Sequence, residues 1–425
     1  MTETLALHGG TPVIARELDP YHAIGREEEE AAVRVMRSGV LSAYIGAPGE
    51  MFMGGTEVRN FEEKAADYFG VKHALGVNSW TSGLIAEVGA LGLEPGDEII
   101  TTPWTMSATA MAVLHWNAIP VFADIDPATF NIDPASVRSL ITERTKAIMA
   151  VDIFGQTADL PALRAIAQEH GLKLLGDTAQ APGAIYDGSK TGTGYDIGGF
   201  SLNYHKHIHC GEGGILVTNN DDLAARMALI RNHAESVIKP QQRSDLANMV
   251  GYNFRMGELE AAIACTQLDK LAERVAGRQR VAAELNAGLG KLDGLTTPHV
   301  FEGATHVYYV YGLTLDTKAL GVDRATIAKA LRAEGVPGVA EGYQNIHRLP
   351  IFTEQCAYGT GNFPWSLRED RNFAYGKGVC PVAEELHEES FLGLAVCLNA
   401  LPSEDVADIV TAFEKVWAGL DSLRS

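Results

Sequence analysis

The sequence contains few cysteines and no long apolar run. Its 425 residues include five cysteines, at positions 210, 265, 356, 380 and 397, an odd number without CxxC pairing. This usage is typical of reduced thiols in a cytosolic protein and not of a disulfide framework. No apolar run reaches the roughly 18 residues of a membrane helix. The amino terminus lacks the basic and then apolar order of a signal peptide. We therefore expect a soluble, cytoplasmic protein.

Positive charge is also scarce. Lys and Arg number 34 against 54 Asp and Glu, which gives a formal net charge of −20. Such an excess of negative charge repels nucleic-acid phosphates and anionic membrane surfaces. The sequence therefore predicts neither a nucleic-acid partner nor a membrane partner, and it favours small-molecule chemistry.

Short apolar runs alternate with helical patterns between residues 60 and 220. The runs EII, IPVFADI, KAIMAVDIF, LKLLGD and GGILVT have the length of buried strands, and FEEKAADYFG and SGLIAEVGALGL have helical spacing. This alternation predicts an α/β fold with a mostly parallel sheet between helices. Ligands in such folds bind beyond the carboxyl ends of the strands.

The carboxyl-terminal part has a different pattern, and a chain of this length favours two domains. A long helical pattern runs from residue 256 to about 292, followed by HVYYVYGLTL as a strand and ATIAKALRAEG as a helix. We expect a large domain over residues 1–260, then a linking helix and a smaller α+β domain over 261–425. Residues 355–380 are rich in glycine and aromatics and lack periodicity, which makes them a candidate substrate-specificity loop.

The stretch HKHIHC, residues 205–210, allows two interpretations. On a strand, His205, His207 and His209 would share one face and could bind zinc with an open position. No carboxylate follows at a metalloenzyme spacing, so we favour hydrogen-bonding histidines near a site and expect no metal. Alternatively, Lys206 lies in a turn between the strands GGFSLNY and GGILVT. A lysine that reaches from such a turn into a pocket can become a nucleophile for an imine.

Two further features fit a pyridoxal phosphate (PLP) site. Asp177 follows the apolar strand LKLLGD, where a carboxylate can keep a pyridine nitrogen protonated. Ser79, Thr81 and Ser82 lie between a strand and a helix, where backbone N–H groups favour a phosphate. Both features could instead be ordinary helix caps. Their combination with Lys206 in one α/β chain favours PLP.

Motifs along nearly the whole chain resemble the DegT/StrS family of sugar and aminocyclitol aminotransferases, which are fold-type I PLP enzymes. The matching segments are LALHGGTPV, NSWTSGL, LGLEPGDEIITTP, IPVFADIDPATFNID, FGQTADL, GDTAQAPGA, FSLNYHKHIHCGEGGILVTN, GYNFRMGELEAAIACTQLDKL and HRLPIF. The resemblance implies that Lys206 forms the imine and that Asp177 acts on the ring nitrogen. It also implies a homodimer with shared sites, since the family's counterpart of Asn253 reaches the neighbouring subunit's phosphate.

The remaining site residues follow from the same resemblance. It implies phosphate contacts from Thr81, Ser82 and Ser201, a ring contact from Gln180, and substrate contacts from Arg255 and from His347 of HRLPIF.

The sequence departs from the family pattern at two places. Trp80 stands where glycine or alanine is usual, which would put a large ring beside the phosphate loop. TTPWTMSAT has Met106 where an aromatic residue usually stacks on the pyridine, with Trp104 two residues earlier. In an extended segment both side chains would share one face, so either could cover the ring.

The function that the resemblance implies is a ping-pong aminotransferase. Lys206 would shuttle the proton between donor and acceptor carbons. The amino donor would be glutamate or glutamine, and the acceptor a keto sugar, a nucleotide-linked keto sugar or a keto cyclitol. The LALHGGTPV opening favours the cyclitol branch. The alternatives are a PLP-dependent deoxysugar dehydratase, whose family members carry histidine in place of the lysine, a non-catalytic PLP-binding regulator, and a metal-dependent hydrolase.

Overall fold

The computed structural model describes residues 3–239, 244–370, 372–395 and 401–424. Its strands are β1 His73–Val77, β2 Glu98–Thr101, β3 Ile119–Phe122, β4 Thr145–Val151, β5 Lys173–Asp177, β6 Ile185–Tyr186, β7 Ser189–Lys190, β8 Ile197–Ser201, β9 Gly214–Thr218, β10 Leu295–Thr296, β11 Tyr311–Leu315, β12 Val339–Glu341 and β13 Phe391–Leu394. Its helices are α1 Arg26–Ser38, α2 Thr56–Phe69, α3 Trp80–Ala90, α4 Ala108–His115, α5 Pro134–Leu140, α6 Leu160–His170, α7 Asp221–Arg231, α8 Ala234–Val237, α9 Glu258–Asp269, α10 Leu271–Leu289, α11 Thr317–Leu320, α12 Arg324–Ala333, α13 Pro350–Thr353, α14 Pro381–Glu385 and α15 Ser403–Ala418.

A seven-stranded mixed sheet forms the large core of the described chain, in the order β1-β9-β8-β5-β4-β2-β3. The neighbours from β8 to β3 pair in parallel, whereas β9 runs antiparallel to both β8 and β1. Six strands therefore point the same way and end at one edge of the sheet. The α/β architecture and the strands read from the five apolar runs are confirmed.

A second sheet, antiparallel and in the order β10-β11-β13-β12, forms the smaller unit with α10, α12 and α15. Leu5 and Ile14 from the amino-terminal segment pack into this second core. The sequence prediction was too long at one strand, since only Tyr311–Leu315 of HVYYVYGLTL pairs in the sheet. The long helical pattern is divided at Lys270 into α9 and α10. The boundary after residue 260 stays a prediction.

The aromatic segment 355–380 packs along the β3 edge of the large sheet. The hydroxyl of Tyr375 donates to the Pro120 carbonyl at 2.8 Å, and that of Tyr358 donates to the Leu114 carbonyl at 2.9 Å. Arg368 binds the buried Glu98, at the amino end of β2, at 2.6 Å. These contacts cover an edge strand. The hypothesis that this segment determines substrate specificity is not supported by its position.

The described residues contain no helix that is both long and apolar enough to cross a membrane. Cys210, Cys265, Cys356 and Cys380 are free thiols, and Cys397 lies outside the described residues.

Candidate active site

The carboxyl edge of the large sheet brings the predicted phosphate-binding elements together. Ser201 ends β8 and pairs with Gly214, the first residue of β9. A Cβ on Gly214 would lie 2.9 Å from the backbone of Trp80, so this strand pair adjoins the start of α3. Ser79 caps that helix, because its hydroxyl accepts from the Ser82 amide at 3.1 Å. Serine hydroxyls and a helix amino terminus thus face one region.

Asp177 ends β5 and is almost fully buried. Its Oδ1 accepts from the indole Nε1 of Trp80 at 2.7 Å and from the Ala179 amide at 3.3 Å. Its Oδ2 accepts from the Thr109 hydroxyl, also at 2.7 Å. The two short bonds come from neutral donors, which orient a carboxylate without cancelling its charge.

Trp80 lies differently from the sequence-based expectation. Its ring does not extend beside the phosphate loop but turns onto the sheet, where it is 6% exposed. It rests on Gly199, the β8 residue that pairs with Asp177, and a Cβ at that position would overlap the indole. A Cβ on Gly83 would come within 2.6 Å of the same ring. The absence of side chains at these glycines makes room for the indole.

Lys206 lies in the turn between β8 and β9, as predicted, and its amide donates to the Asn203 carbonyl at 2.9 Å. Its Nζ lies 4.2 Å from the centroid of the Tyr309 ring. The Tyr309 hydroxyl is 2.7 Å from Nδ1 of His205. The lysine amine, the phenol and the imidazole therefore form one cluster.

The three histidines do not share a strand face, because residues 204–208 form turns and bends. His205 contacts Tyr309, and His207 is fully buried with Nε2 2.8 Å from the Val307 carbonyl. The amide of His209 donates to Gln267. Among the described residues no group of three His, Cys, Asp or Glu side chains is arranged to hold a metal ion. Neither His205 nor His207 takes the place of Lys206, as the dehydratase alternative would require.

Gln180 follows Asp177 by three residues and is also buried. Its Oε1 accepts from the Phe154 amide at 2.8 Å, and its Nε2 donates to the Tyr343 hydroxyl at 3.4 Å. Burial raises the pKa of the Tyr343 phenol. Tyr343 therefore remains a protonated hydroxyl beside Gln180 at neutral pH.

Trp104 and Met106 do not share an environment. Trp104 is completely buried, and its Nε1 donates to Asn345 at 2.8 Å within a cluster of phenylalanines. Met106 is 62% exposed. The strand ends at Thr101, and the two side chains differ in burial, so they do not share one face as an extended segment would require. Of the two, Met106 is the one that remains available to a bound ring.

The segment GYNFRM lies against the turn that leads to α3. The Asn78 amide donates to the Phe254 carbonyl at 2.9 Å, and Val77 forms an isolated bridge with Arg255. Arg255 Nε donates to Asn232 at 3.0 Å, whereas Asn253 is exposed. This segment therefore adjoins the predicted phosphate site.

His347 is not brought to this site. It is fully buried, and its Nε2 lies 3.0 Å from Glu384 Oε1 in the core beneath the β3 edge. Burial lowers the pKa of this imidazole. The prediction that His347 contacts substrate is not supported by this position, and its contacts instead hold the segment around Glu384.

Two further acidic side chains lie in the core behind Asp177. Burial raises the pKa of Glu87 well above its ordinary value, and the nearby charge of Asp177 raises it further. Burial also raises the pKa of Asp152 to about 6. Asp152 accepts from Tyr195, Thr178 and the Ala158 amide.

Sequence reasoning missed Thr109 and Tyr309. Thr109 stands 68 residues before the carboxylate it binds, and Tyr309 lies 104 residues beyond His205. Thr109 did carry a local signal, since it lies at the start of a helix that follows a strand. The aromatic character of HVYYVYGL was interpreted as a strand property.

Together these features define a class of protein. An amine on the β8–β9 turn, a carboxylate at the end of β5, and hydroxyls at a helix amino terminus suit the aldehyde, the pyridine nitrogen and the phosphate of PLP. The donor set fits that cofactor, and the mixed sheet is that of a fold-type I PLP enzyme.

The chain belongs to the DegT/DnrJ/EryC1/StrS aminotransferase family, whose sequence profile matches residues 30–411. It is 34% identical over 434 residues to an L-glutamine:2-deoxy-scyllo-inosose aminotransferase of Streptomyces paromomycinus, with 98% of each chain covered. It is 40% identical over 283 residues to a GDP-perosamine synthase of Caulobacter vibrioides, which covers 66% of this chain and 75% of that protein. Its structure resembles that of an aminotransferase from Psychrobacter cryohalolentis, with a TM-score of 0.79, 27% identity and coverage of 95% and 100% of the two chains. The protein is therefore a PLP-dependent aminotransferase.

Proposed function

We propose that this enzyme transfers an amino group from glutamine or glutamate to a keto cyclitol in a ping-pong cycle. A nucleotide-linked keto sugar is the second candidate acceptor. PLP, when bound, supplies an electron-withdrawing ring that carries the amino group between the two substrates. This chain's residues position that ring and move protons.

The observation that carries the proposal is the arrangement around Asp177. A buried carboxylate held by Trp80 and Thr109 can pair with a protonated ring nitrogen. Lys206, in the turn across the same edge, then serves as general base and acid between donor and acceptor carbons. The Tyr309 ring beside its Nζ holds the amine in place. Gln180, Ser201, Thr81 and Ser82 complete the cofactor contacts in this proposal.

The proposed acceptor rests on how much of the chain is similar to each named relative. The inosose aminotransferase of Streptomyces paromomycinus is similar to this protein over 98% of both chains, so the similarity extends along nearly the whole length. A relative named as GDP-perosamine synthase has higher identity over a shorter span. That higher identity keeps a nucleotide-linked keto sugar as the second candidate.

We further propose a homodimer in which each site is completed by its partner. Seven large apolar side chains within residues 24–51 are exposed in the single chain: Ile24, Val33, Met36, Val40, Leu41, Ile45 and Met51. Met106, Tyr204 and Asn253, which flank the site elements, are exposed as well. Exposed apolar surface of this extent favours an interface with a second copy. Asn253 would then reach the partner's phosphate, and Arg255 would bind the donor carboxylate. The free thiols favour the cytoplasm as the location.

The test follows each half of the cycle separately. The enzyme with PLP bound is mixed with glutamine, glutamate and other amino acids, and the change in the cofactor's visible absorption identifies the donor. After removal of the donor, keto cyclitols, nucleotide-linked keto sugars and ordinary keto acids are each added, and recovery of the original absorption identifies the acceptor. We expect glutamine or glutamate to act in the first half and a keto cyclitol to act fastest in the second. A nucleotide-linked sugar that reacts faster would replace the cyclitol proposal. A protein that responds to no donor would refute the assignment of the site.

A further inference from the structure

We propose that Trp80 is a positioning residue for Asp177, and that its indole N–H aligns and tunes the carboxylate that faces the cofactor ring. The inference rests on the proposed role of Asp177. It goes beyond that role, because it assigns a function to a residue at which this chain departs from the family pattern.

The contact between Trp80 and Asp177 is a hydrogen bond as well as a packing contact. The indole Nε1 lies 2.7 Å from Asp177 Oδ1, and both groups are more than nine-tenths buried. The bond joins the first residue of α3 to the last residue of β5, two elements that meet at the site. Thr109 holds the other carboxylate oxygen at the same distance. The two donors together restrict rotation of the carboxylate about its Cβ–Cγ bond.

The surroundings are shaped for the indole. The ring lies over Gly199 and against Gly83, where any side chain would overlap it. Gly199 pairs with Asp177 across the sheet, so a ring that covers this glycine necessarily lies beside the carboxylate. A smaller residue at position 80 would leave the space empty and would leave Oδ1 with only the longer bond from the Ala179 amide, at 3.3 Å.

The electrostatic consequence follows from the type of donor. A neutral N–H directs the positive end of its dipole at Oδ1, so it partly compensates the carboxylate charge without neutralising it as a cation would. Without this donor, the carboxylate would rotate more freely, and its charge would be less compensated. We therefore expect weaker PLP binding together with an upward shift in the pH midpoint of the visible absorption of bound PLP.

Trp80→Phe is the direct test, and Trp116→Phe is its matched control. Trp116 is 5% exposed, lies in the same core cluster, and donates its Nε1 to the Ile85 carbonyl at 2.7 Å, away from Asp177. Trp80→Phe should raise the dissociation constant for PLP about tenfold and shift the spectral midpoint upward by several tenths of a pH unit. Trp116→Phe should change thermal stability alone. Equal values of both quantities in the two variants would overturn the proposal.

A second measurement tests whether Trp80 acts through Asp177. In an Asp177→Asn background, adding Trp80→Phe should no longer shift the midpoint, because no carboxylate charge remains to be tuned. A shift of the same size in both backgrounds would overturn the inference. Asp177→Asn alone must move the midpoint, and a lack of any effect would refute the role of Asp177 and this inference together.

A third variant covers the case in which phenylalanine disturbs folding. Position 80 is filled with benzothienylalanine, in which sulfur replaces the indole N–H and the ring shape is kept. A midpoint shift in this variant supports the hydrogen bond, and an unchanged midpoint with unchanged PLP affinity shows that the ring serves packing alone.

Discussion

Replacing Asp177 with asparagine separates charge from shape at the centre of the site. The carboxylate accepts from Trp80, from Thr109 and from the Ala179 amide. An asparagine side chain can still accept from Trp80 through Oδ1. Its amide then faces Thr109, whose hydroxyl can turn to the Met106 carbonyl at 3.1 Å. The Trp80 indole and the Thr109 hydroxyl thus both keep an acceptor, so the fold should persist.

The expected magnitudes differ for stability and for turnover. Exchanging hydrogen bonds to a charged group for bonds to a neutral one should cost about 1–2 kcal/mol of unfolding free energy. Loss of the negative charge opposite the ring nitrogen of PLP should reduce turnover at least about 10²-fold, comparable with removal of one preorganised electrostatic group. The loss of activity should therefore far exceed any loss of folded enzyme.

The assay pairs steady-state turnover on the best donor and acceptor with thermal melts of the same samples. Asp152→Asn is the control, because Asp152 is also a buried carboxylate with three donors but contacts Tyr195, Thr178 and Ala158 in the core. We expect that variant to keep turnover within about threefold of wild type, as for a change that leaves the reacting groups in place. A near-normal rate for Asp177→Asn would show that Asp177 is only a cap for the following turn, and it would refute the assignment.

Three further predictions concern the lysine, the dimer and the buried acid. Borohydride should fix PLP to Lys206 and to no other lysine, as peptide mapping would reveal, and chelators should leave activity intact. Asn253→Ala and Lys206→Ala should each be impaired, and mixing them under subunit exchange should restore up to about a quarter of wild-type activity, since half of the dimers would carry one sound site of two. No recovery despite confirmed exchange would show that Asn253 serves its own subunit. For Glu87, the raised pKa means that the folded state keeps a proton that the unfolded chain releases, so the protein loses stability as pH rises above the ordinary glutamate range. Glu87→Gln should remove this loss. The melting temperature of the variant minus that of wild type should therefore increase between pH 4 and pH 8. A difference that stays constant over this range would contradict a raised pKa for Glu87.

The sequence allowed the sheet to be predicted because its strands are buried on both faces. The sequences of β4 and β5 are mostly apolar runs. In an α/β chain, a short run of that kind is typical of a strand in the centre of the sheet. Prediction failed where long-range contacts override local pattern. Val307 and Tyr309 continue the apolar and aromatic pattern of the strand that follows them. Their amides nevertheless donate to the carbonyls of Gly155 and Phe154, which belong to the part of the chain that forms the large sheet. The alternation of side chains along a strand therefore does not predict the position of these residues, which connect the two sheets.

Site residues could be predicted from the sequence only where the strand or turn that carries them was itself recognisable. Asp177 could be located because it ends an apolar strand, and Lys206 because it lies in the turn between two strands. The bond between Trp80 and Asp177 joins residues 97 positions apart, and no local signal reports it. The sequence around Gly199 likewise does not indicate that this glycine packs against Trp80, because the two residues are far apart in the chain. The motif around His347 carried no information on which way its side chain points, and the structure places that side chain in the core beside Glu384.

A second buried carboxyl group, that of Glu87, lies close enough to Asp177 for the two to interact electrostatically. Burial raises the pKa of Glu87 well above its ordinary value, and the nearby charge of Asp177 raises it further. Its Oε1 accepts from the Gly176 amide, while its Oε2 has no partner among the described residues. A raised pKa favours the neutral form of Glu87, which leaves Asp177 as the carboxylate that we propose faces the ring nitrogen. A carboxylate fixed by the neutral donors Trp80 and Thr109 is an arrangement that stabilises positive charge in front of the sheet without much reorganisation.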